Sequence, residues 1–185
     1  MHATLCDIVT DIVQNSIEAG ASQVTLEIST NPEKIEICIG DNGKGMDKAT
    51  LERAFEPFYS EAGKHDHRRV GLGLPLLKQT AEAAGGAVDI QSEPGKGTIV
   101  RFHVSAHHWD TPPLGNLTMT VLGLMSFRSG YNLTVTRRTP QDSYQVSRSE
   151  LIEALGNLEE AGTLILAKEF LESQENELDR SRERC

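Results

Sequence analysis

Three groups of residues in this chain have the types and spacing that chemistry needs. In the first, Asp7, Asp11, Asn15 and Glu18 are spaced four, four and three apart, so they share one face of a helix. A solvated helix face has the same pattern. The amide at Asn15 is the unusual member, because asparagine is a middling helix former, and its carbonyl oxygen is a hard ligand of the kind Mg²⁺ accepts beside phosphate oxygens and water. The second group is Asp41-Asn42-Gly43-Lys44-Gly45-Met46. Asp-Asn-Gly is good chemistry for an ordinary turn. The same glycines also let backbone approach a flat ligand, with a carboxylate at the strand end to accept a hydrogen bond from an exocyclic amine such as adenine offers. The third is Gly71-Leu72-Gly73-Leu74-Pro75. Free N–H groups at a helix N-terminus behind glycines form an anion site suited to phosphates, and Pro75 fits a first turn, where its missing N–H costs nothing. A glycine hinge is the plain alternative. The third glycine of a dinucleotide fingerprint is absent, and the chain has no Gly-x-x-x-x-Gly-Lys-Ser/Thr loop.

The elements that hold these groups follow from periodicity. Leu5, Ile8, Val9, Ile12, Val13 and Ile17 give a helix over 3–19 one apolar stripe, opposite the polar face, and Gly20 stops it. Val24, Leu26 and Ile28 alternate along one strand and Ile35, Ile37 and Ile39 along the next, with Thr30-Asn31-Pro32-Glu33 as the turn between them. Alternation of this kind predicts a sheet with one covered and one wetter face. Asp47 caps a short helix to about Ala54, and residues 56–70 read as a loop. A helix opened by Gly71-Leu72-Gly73 runs to about Ala84, followed by strands at 87–92 and 98–104. Thr111-Pro112-Pro113 suits neither element and marks a boundary, giving regions 1–109 and 110–185. The second region reads as a small α+β appendage: a helix at 116–127, strands near 131–138 and 143–147, and helices at 148–156 and 167–180.

Composition narrows the function classes. Hydrophobic residues make up 38% and charged residues 24%, enough for a sizeable core. The net charge of −9 is spread evenly, with 15 acidic against 10 basic residues in 1–109 and 12 against 8 in 110–185. No basic patch stands out, which disfavours nucleic acid as a partner. Cys6, Cys38 and Cys185 have neither metal-ligand nor disulfide spacing. No segment resembles a signal peptide, and no apolar run approaches the ~20 residues that cross a bilayer, so the expectation is a reduced, cytoplasmic protein without membrane attachment.

The order of the motifs is more specific than any one of them. Asp11-x-x-x-Asn15, Asp41-x-Gly43-x-Gly45, Phe55-Glu56-Pro57-Phe58, Gly71-Leu72-Gly73-Leu74 and Gly95-Lys96-Gly97-Thr98 together resemble the GHKL superfamily, which includes DNA gyrase, the Hsp chaperone ATPases, histidine kinases and mismatch-repair ATPases. The resemblance covers roughly residues 3–105. Asn15-Ser16-Ile17-Glu18-Ala19-Gly20-Ala21 looks most like the mismatch-repair branch, and Phe55 to Val104 looks like the histidine-kinase catalytic domain. The resemblance implies an α+β Bergerat fold: a two-layer α/β sandwich with a mixed, mostly antiparallel sheet and helices on one face. It also implies ATP and Mg²⁺ as ligands, with Asn15 on the metal and Asp41 on the adenine amine. Gly45 and Thr98 fall near the same ring, and Gly43 and Met46 shape the base pocket. Gly71, Leu72, Gly73 and Leu74 meet the phosphates under a lid over 59–70, whose Lys64, Arg68 and Arg69 face phosphate charge or stand as an exposed basic loop.

Several departures bear on the reaction. Histidine kinases carry a basic or aromatic residue three after the metal-binding Asn; here that position is Glu18, so kinase-style phosphate contacts are not expected there. Members that hydrolyse ATP carry a Glu four residues before the metal-binding Asn as the base for water. Here that position is Asp11, which keeps the carboxylate on a shorter arm and implies slow turnover. Histidine kinases also carry a dimerising, phosphoacceptor helix pair, which is not expected within this sequence, so a phosphoacceptor would lie on another chain. The expectation is an Mg-ATP-binding, histidine kinase-like signalling protein that passes the γ-phosphoryl group to a partner in trans. A slow ATPase switch and a non-catalytic nucleotide sensor are the alternatives, and homodimerisation is compatible with all three.

Overall fold

The computed structural model describes residues 4–56, 73–127 and 130–183. The stripe of the first helix fixes where it packs. In α1 (Leu5–Glu18) the residues Leu5, Cys6, Ile8, Val9, Ile12, Val13 and Ser16 are buried. Thr4 opens it with a capping box: Thr4 Oγ1 accepts the Asp7 N–H and the Asp7 carboxylate accepts the Thr4 N–H. Asp7, the first member of the polar face, is therefore spent on the cap.

The two alternating segments become β1 (Gln23–Thr30) and β2 (Lys34–Asp41), an antiparallel pair. α2 (Lys48–Arg53) starts on its Asp47 cap, and α3 (Gly73–Ala83) leads into the hairpin of β3 (Ala87–Glu93) and β4 (Gly97–Ser105). Beyond 110 come α4 (Leu117–Met125), β5 (Asn132–Arg138), β6 (Ser143–Ser147), α5 (Arg148–Leu155) and α6 (Ala161–Glu183). The last helix begins well before the predicted 167. Thr163 and Ala167 continue the buried face that Leu171 and Leu178 extend, and that packing overrides the weak propensity of Gly162.

Among the described residues the six strands join one sheet in the order β3-β4-β2-β1-β5-β6, so the strands beyond 110 extend the sheet begun before it. β5 lies parallel to β1 and the other pairings are antiparallel, the mixed, mostly antiparallel α+β architecture that the resemblance implies. One sheet face carries the apolar rows Leu26–Ile39–Val100–Ile90 and Ile28–Ile37–Phe102–Val88. Helices cover that face, while alternate residues such as Thr25, Glu27, Glu36 and Arg101 are exposed on the other.

An ionic contact ties the last helix to the sheet. Arg137 is 4% exposed; it donates to Thr30 Oγ1 at 3.0 Å and to the Arg138 carbonyl at 2.9 Å, and its Nε lies 3.6 Å from the Glu175 carboxylate of α6. Tyr144 donates to the same carboxylate at 2.6 Å. Burial, then the Glu175 hydrogen bond and charge, push the Tyr144 hydroxyl far above the ordinary tyrosine range.

Candidate nucleotide-binding site

The apolar rows of the covered face end in a polar one. Past Ile39–Val100–Ile90, the next residues in register are Asp41, Thr98 and Ser92, side by side across β2, β4 and β3. The C-terminal half of α1 lies over this row, and there its own buried stripe also turns polar, at Ser16.

Asp41 is held from three sides. Its Oδ1 accepts the Gly43 N–H at 2.8 Å and the Thr98 N–H at 3.3 Å. Its Oδ2 accepts the Ser16 hydroxyl at 2.8 Å. An ionised carboxylate has about four lone-pair directions, so three donors fix its plane and leave an acceptor position on Oδ2.

The glycine loop is built against the β3–β4 turn. A Cβ on Gly45, whose φ is +64°, would stand 1.9 Å from the Glu93 carbonyl oxygen, and one on Gly97 (φ +99°) would stand 1.9 Å from the Asp41 carbonyl oxygen. The close approach that requires glycine at 45 is therefore made by the chain itself. Met46 donates its N–H to Ser92 Oγ at 2.8 Å, and Gly95 donates to the Lys44 carbonyl at 2.7 Å. Gly43 is wedged against Ala19 at the end of α1, and Asn42 anchors the loop to β1, its Oδ1 accepting the N–H groups of Ser22 and Gln23 at 2.9 Å each.

α1 packs against α3. A Cβ on Gly73, the first residue of α3, would stand 3.9 Å from the Asn15 side-chain amide. No side chain of residue 73 intervenes between Asn15 and the helix start. The two polar atoms of an amide interchange by a flip, so a hard oxygen donor can face this position, and the donor chemistry fits Mg²⁺ with phosphate oxygens. Pro75 lies in the first turn of α3, and Leu74 packs against the core. Asp11 lies one turn before Asn15 on the same half-exposed face.

Asn15, Asp41, Gly43, Gly45, Met46, Gly73, Leu74 and Thr98 thus lie around the junction of α1, α3 and the end of the sheet. Lys64, Arg68, Arg69, Gly71, Leu72 and the lid expected over 59–70 lie outside the described residues, as do Pro57 and Phe58. Sequence reading assigned no role to Ser16 or Ser92. The available signal was a broken period: Ser16 continues the stripe of Ile8, Val9, Ile12 and Val13, and Ser92 continues Val88 and Ile90, each with a polar residue where the next apolar one is due.

The family described as "Histidine kinase-, DNA gyrase B-, and HSP90-like ATPase" matches residues 2–108. The chain belongs to this family. The Sensor histidine kinase YxdK of Bacillus subtilis is 34% identical over 95 residues, covering 49% of this chain and 29% of that protein. The Heme sensor protein HssS of Staphylococcus saprophyticus is 36% identical over 98 residues, covering 53% and 20% respectively. The chain therefore spans less than a third of the length of these relatives. The crystal structure of the N-terminal domain of a DNA repair protein shares the fold, with a TM-score of 0.55 and 19% identity over 88% of this chain and 59% of that one. The family match ends at 108, so α4 to α6, with β5 and β6, lie beyond it. Among the described residues no helix is long and apolar enough to cross a membrane.

Proposed function

We propose that the protein binds Mg-ATP where α1, the start of α3 and the Asp41–Thr98–Ser92 row meet, and passes the γ-phosphoryl group to an acceptor on a partner protein in the cytoplasm. The observation that carries this reading is the carboxylate of Asp41, oriented by three donors and left with an acceptor position for an exocyclic amine. Gly43, Gly45, Met46 and Thr98 frame the base. Asn15 would hold the metal, which when bound neutralises phosphate charge. Gly73 and Leu74, with Gly71, Leu72, Lys64, Arg68 and Arg69, serve the phosphate side. Phosphoryl transfer asks the protein mainly for positioning and charge neutralisation: the acceptor attacks the γ-phosphorus, the bond to the β-phosphate oxygen breaks, and ADP leaves. Residues 1–109 form the nucleotide-binding part of this proposal and residues 110–185 the part that meets a partner or a second copy.

A second reading, a slow ATPase switch, draws on the contact between the two parts. Leu5 and Cys6 donate their N–H groups to the carbonyls of Pro113 and Leu114 at 2.9 Å each, so the segment after β4 is tied to the helix that carries Asp11 and Asn15. One experiment separates the readings. The protein is incubated with γ-labelled Mg-ATP in a native extract, and free phosphate and protein-bound label are measured separately. Transfer predicts label on a second protein, and its absence sinks that reading. The switch predicts free phosphate that Asp11→Asn abolishes while ATP binding persists; unchanged turnover sinks it. Binding with neither product leaves a nucleotide sensor.

A further inference from the structure

Ser92 has a saturated hydroxyl. Its Oγ accepts the Met46 N–H at 2.8 Å and lies 3.0 Å from the Gly97 carbonyl oxygen and 2.9 Å from Thr98 Oγ1. A hydroxyl has one proton and two lone pairs. The Met46 N–H takes one lone pair. The Gly97 carbonyl can only accept, so it takes the Ser92 proton, and the second lone pair of Ser92 receives the proton of Thr98. The reverse assignment would set the Ser92 oxygen and the Gly97 carbonyl against each other without a proton between them. The consequence falls on Thr98: with its proton committed to Ser92, Oγ1 offers only lone pairs to the cleft. Beside it in the same row, Asp41 is also an acceptor.

We propose that Ser92 is a specificity-determining positioning residue: by drawing the Thr98 proton to itself, it makes the Asp41–Thr98 edge a surface of acceptors that takes an amine and rejects a carbonyl. The inference rests on reading the cleft as an ATP site. Adenine presents an amine with two N–H donors. Hypoxanthine and guanine carry a carbonyl at the same ring position, and its lone pairs would face acceptors on both sides. Rejection by mismatched polarity is the form of discrimination that a polar site does best.

The test uses the full chain and two ligands that differ at that position, Mg-ATP and Mg-inosine triphosphate, and reads the ratio of their dissociation constants. Wild type prefers ATP. In Ser92→Ala the Thr98 proton is free to turn toward the ligand and donate to the carbonyl, so the preference falls roughly fivefold or more, the worth of about one hydrogen bond. Ser92→Thr, which keeps the hydroxyl, retains the wild-type ratio. A Ser92 that merely supports the hairpin would weaken both nucleotides by the same factor, and an unchanged ratio in Ser92→Ala overturns the proposal. Should Ser92→Ala fail to fold by circular dichroism, Thr98→Val carries the test, because it deletes one acceptor from the edge. Its preference also falls, and an unchanged ratio is again fatal. A wild-type protein that binds both nucleotides equally overturns this inference alone, whereas one that binds neither overturns the ATP reading beneath it.

Discussion

Replacing Ser16 with alanine isolates the orientation of Asp41 from the stability of the fold. Ser16 is 4% exposed and donates to Asp41 Oδ2 at 2.8 Å, with the Ile12 carbonyl as a longer alternative at 3.3 Å. A hydrogen bond to a charged group contributes about 1.5–3 kcal/mol. The Gly43 and Thr98 N–H groups still hold Oδ1 in the variant, so the lower end applies: about 1.5 kcal/mol, or roughly tenfold in ATP affinity. The fold should lose far less. Alanine is the better helix former by a few tenths of a kcal/mol in the middle of α1, which offsets part of the lost contact. Calorimetric titration with Mg-ATP, paired with a thermal melt in the absence of nucleotide, separates the two effects. The expected result is roughly tenfold weaker binding with a melting temperature within a few degrees of wild type. Unchanged affinity would refute the claim that Ser16 orients the carboxylate. A large drop in melting temperature would show that Ser16 serves the core instead.

Three further outcomes follow from the packing. Gly45→Ala should destabilise by about 2–4 kcal/mol in denaturant titrations, because its Cβ meets the Glu93 carbonyl at 1.9 Å in a left-handed conformation. Gly43→Ala meets its neighbours only at 3.0 Å and should cost less, so equal losses would contradict the docking of this loop. Glu175→Ala should cost about 1–3 kcal/mol because it removes the carboxylate beside the buried Arg137 guanidinium, which keeps its Thr30 and Arg138 acceptors, whereas Tyr144→Phe removes only a hydrogen bond to the same carboxylate; a smaller loss for Glu175→Ala than for Tyr144→Phe would refute the role of the ion pair. Burial pushes Tyr131 from the ordinary 10 up to about 12, with the Arg148 charge opposing it. Between those values the unfolded chain gives up the proton while the folded one keeps it, so stability is fully present below pH 10 and falls as pH rises toward 12. Urea melts across that range, compared with Tyr131→Phe, should show the variant losing less, and parallel losses would exclude Tyr131 as the cause.

The elements were legible in the sequence wherever one face is wholly apolar. Leu5 to Val13, Val24 to Ile28 and Ile35 to Ile39 each state a period and a buried side, and the turn and cap residues at Gly20, Asn31 and Asp47 bound them. Periodicity is weaker for the start of α6, where Gly162 argues against helix and only packing decides for it. Among the site residues, Asp41 and Asn15 stood out because each puts a polar group at a place with an evident use. Ser16 and Ser92 did not, since serine is common in helices and strands and its role here depends on which atoms lie across from it.

The sequence by itself determined α1 and the strands β1 and β2, the covered face of the sheet and the ordered motifs that identify the family, because these depend on local periodicity and on residue types in fixed order. Only the tertiary structure decided that Asp41, Thr98 and Ser92 form one row under Ser16, that Gly45 yields to the Glu93 carbonyl, and that β5 continues the sheet beside β1. Each of these is a contact between residues distant in the chain. Strand register and helix docking set such contacts, and no local pattern encodes them.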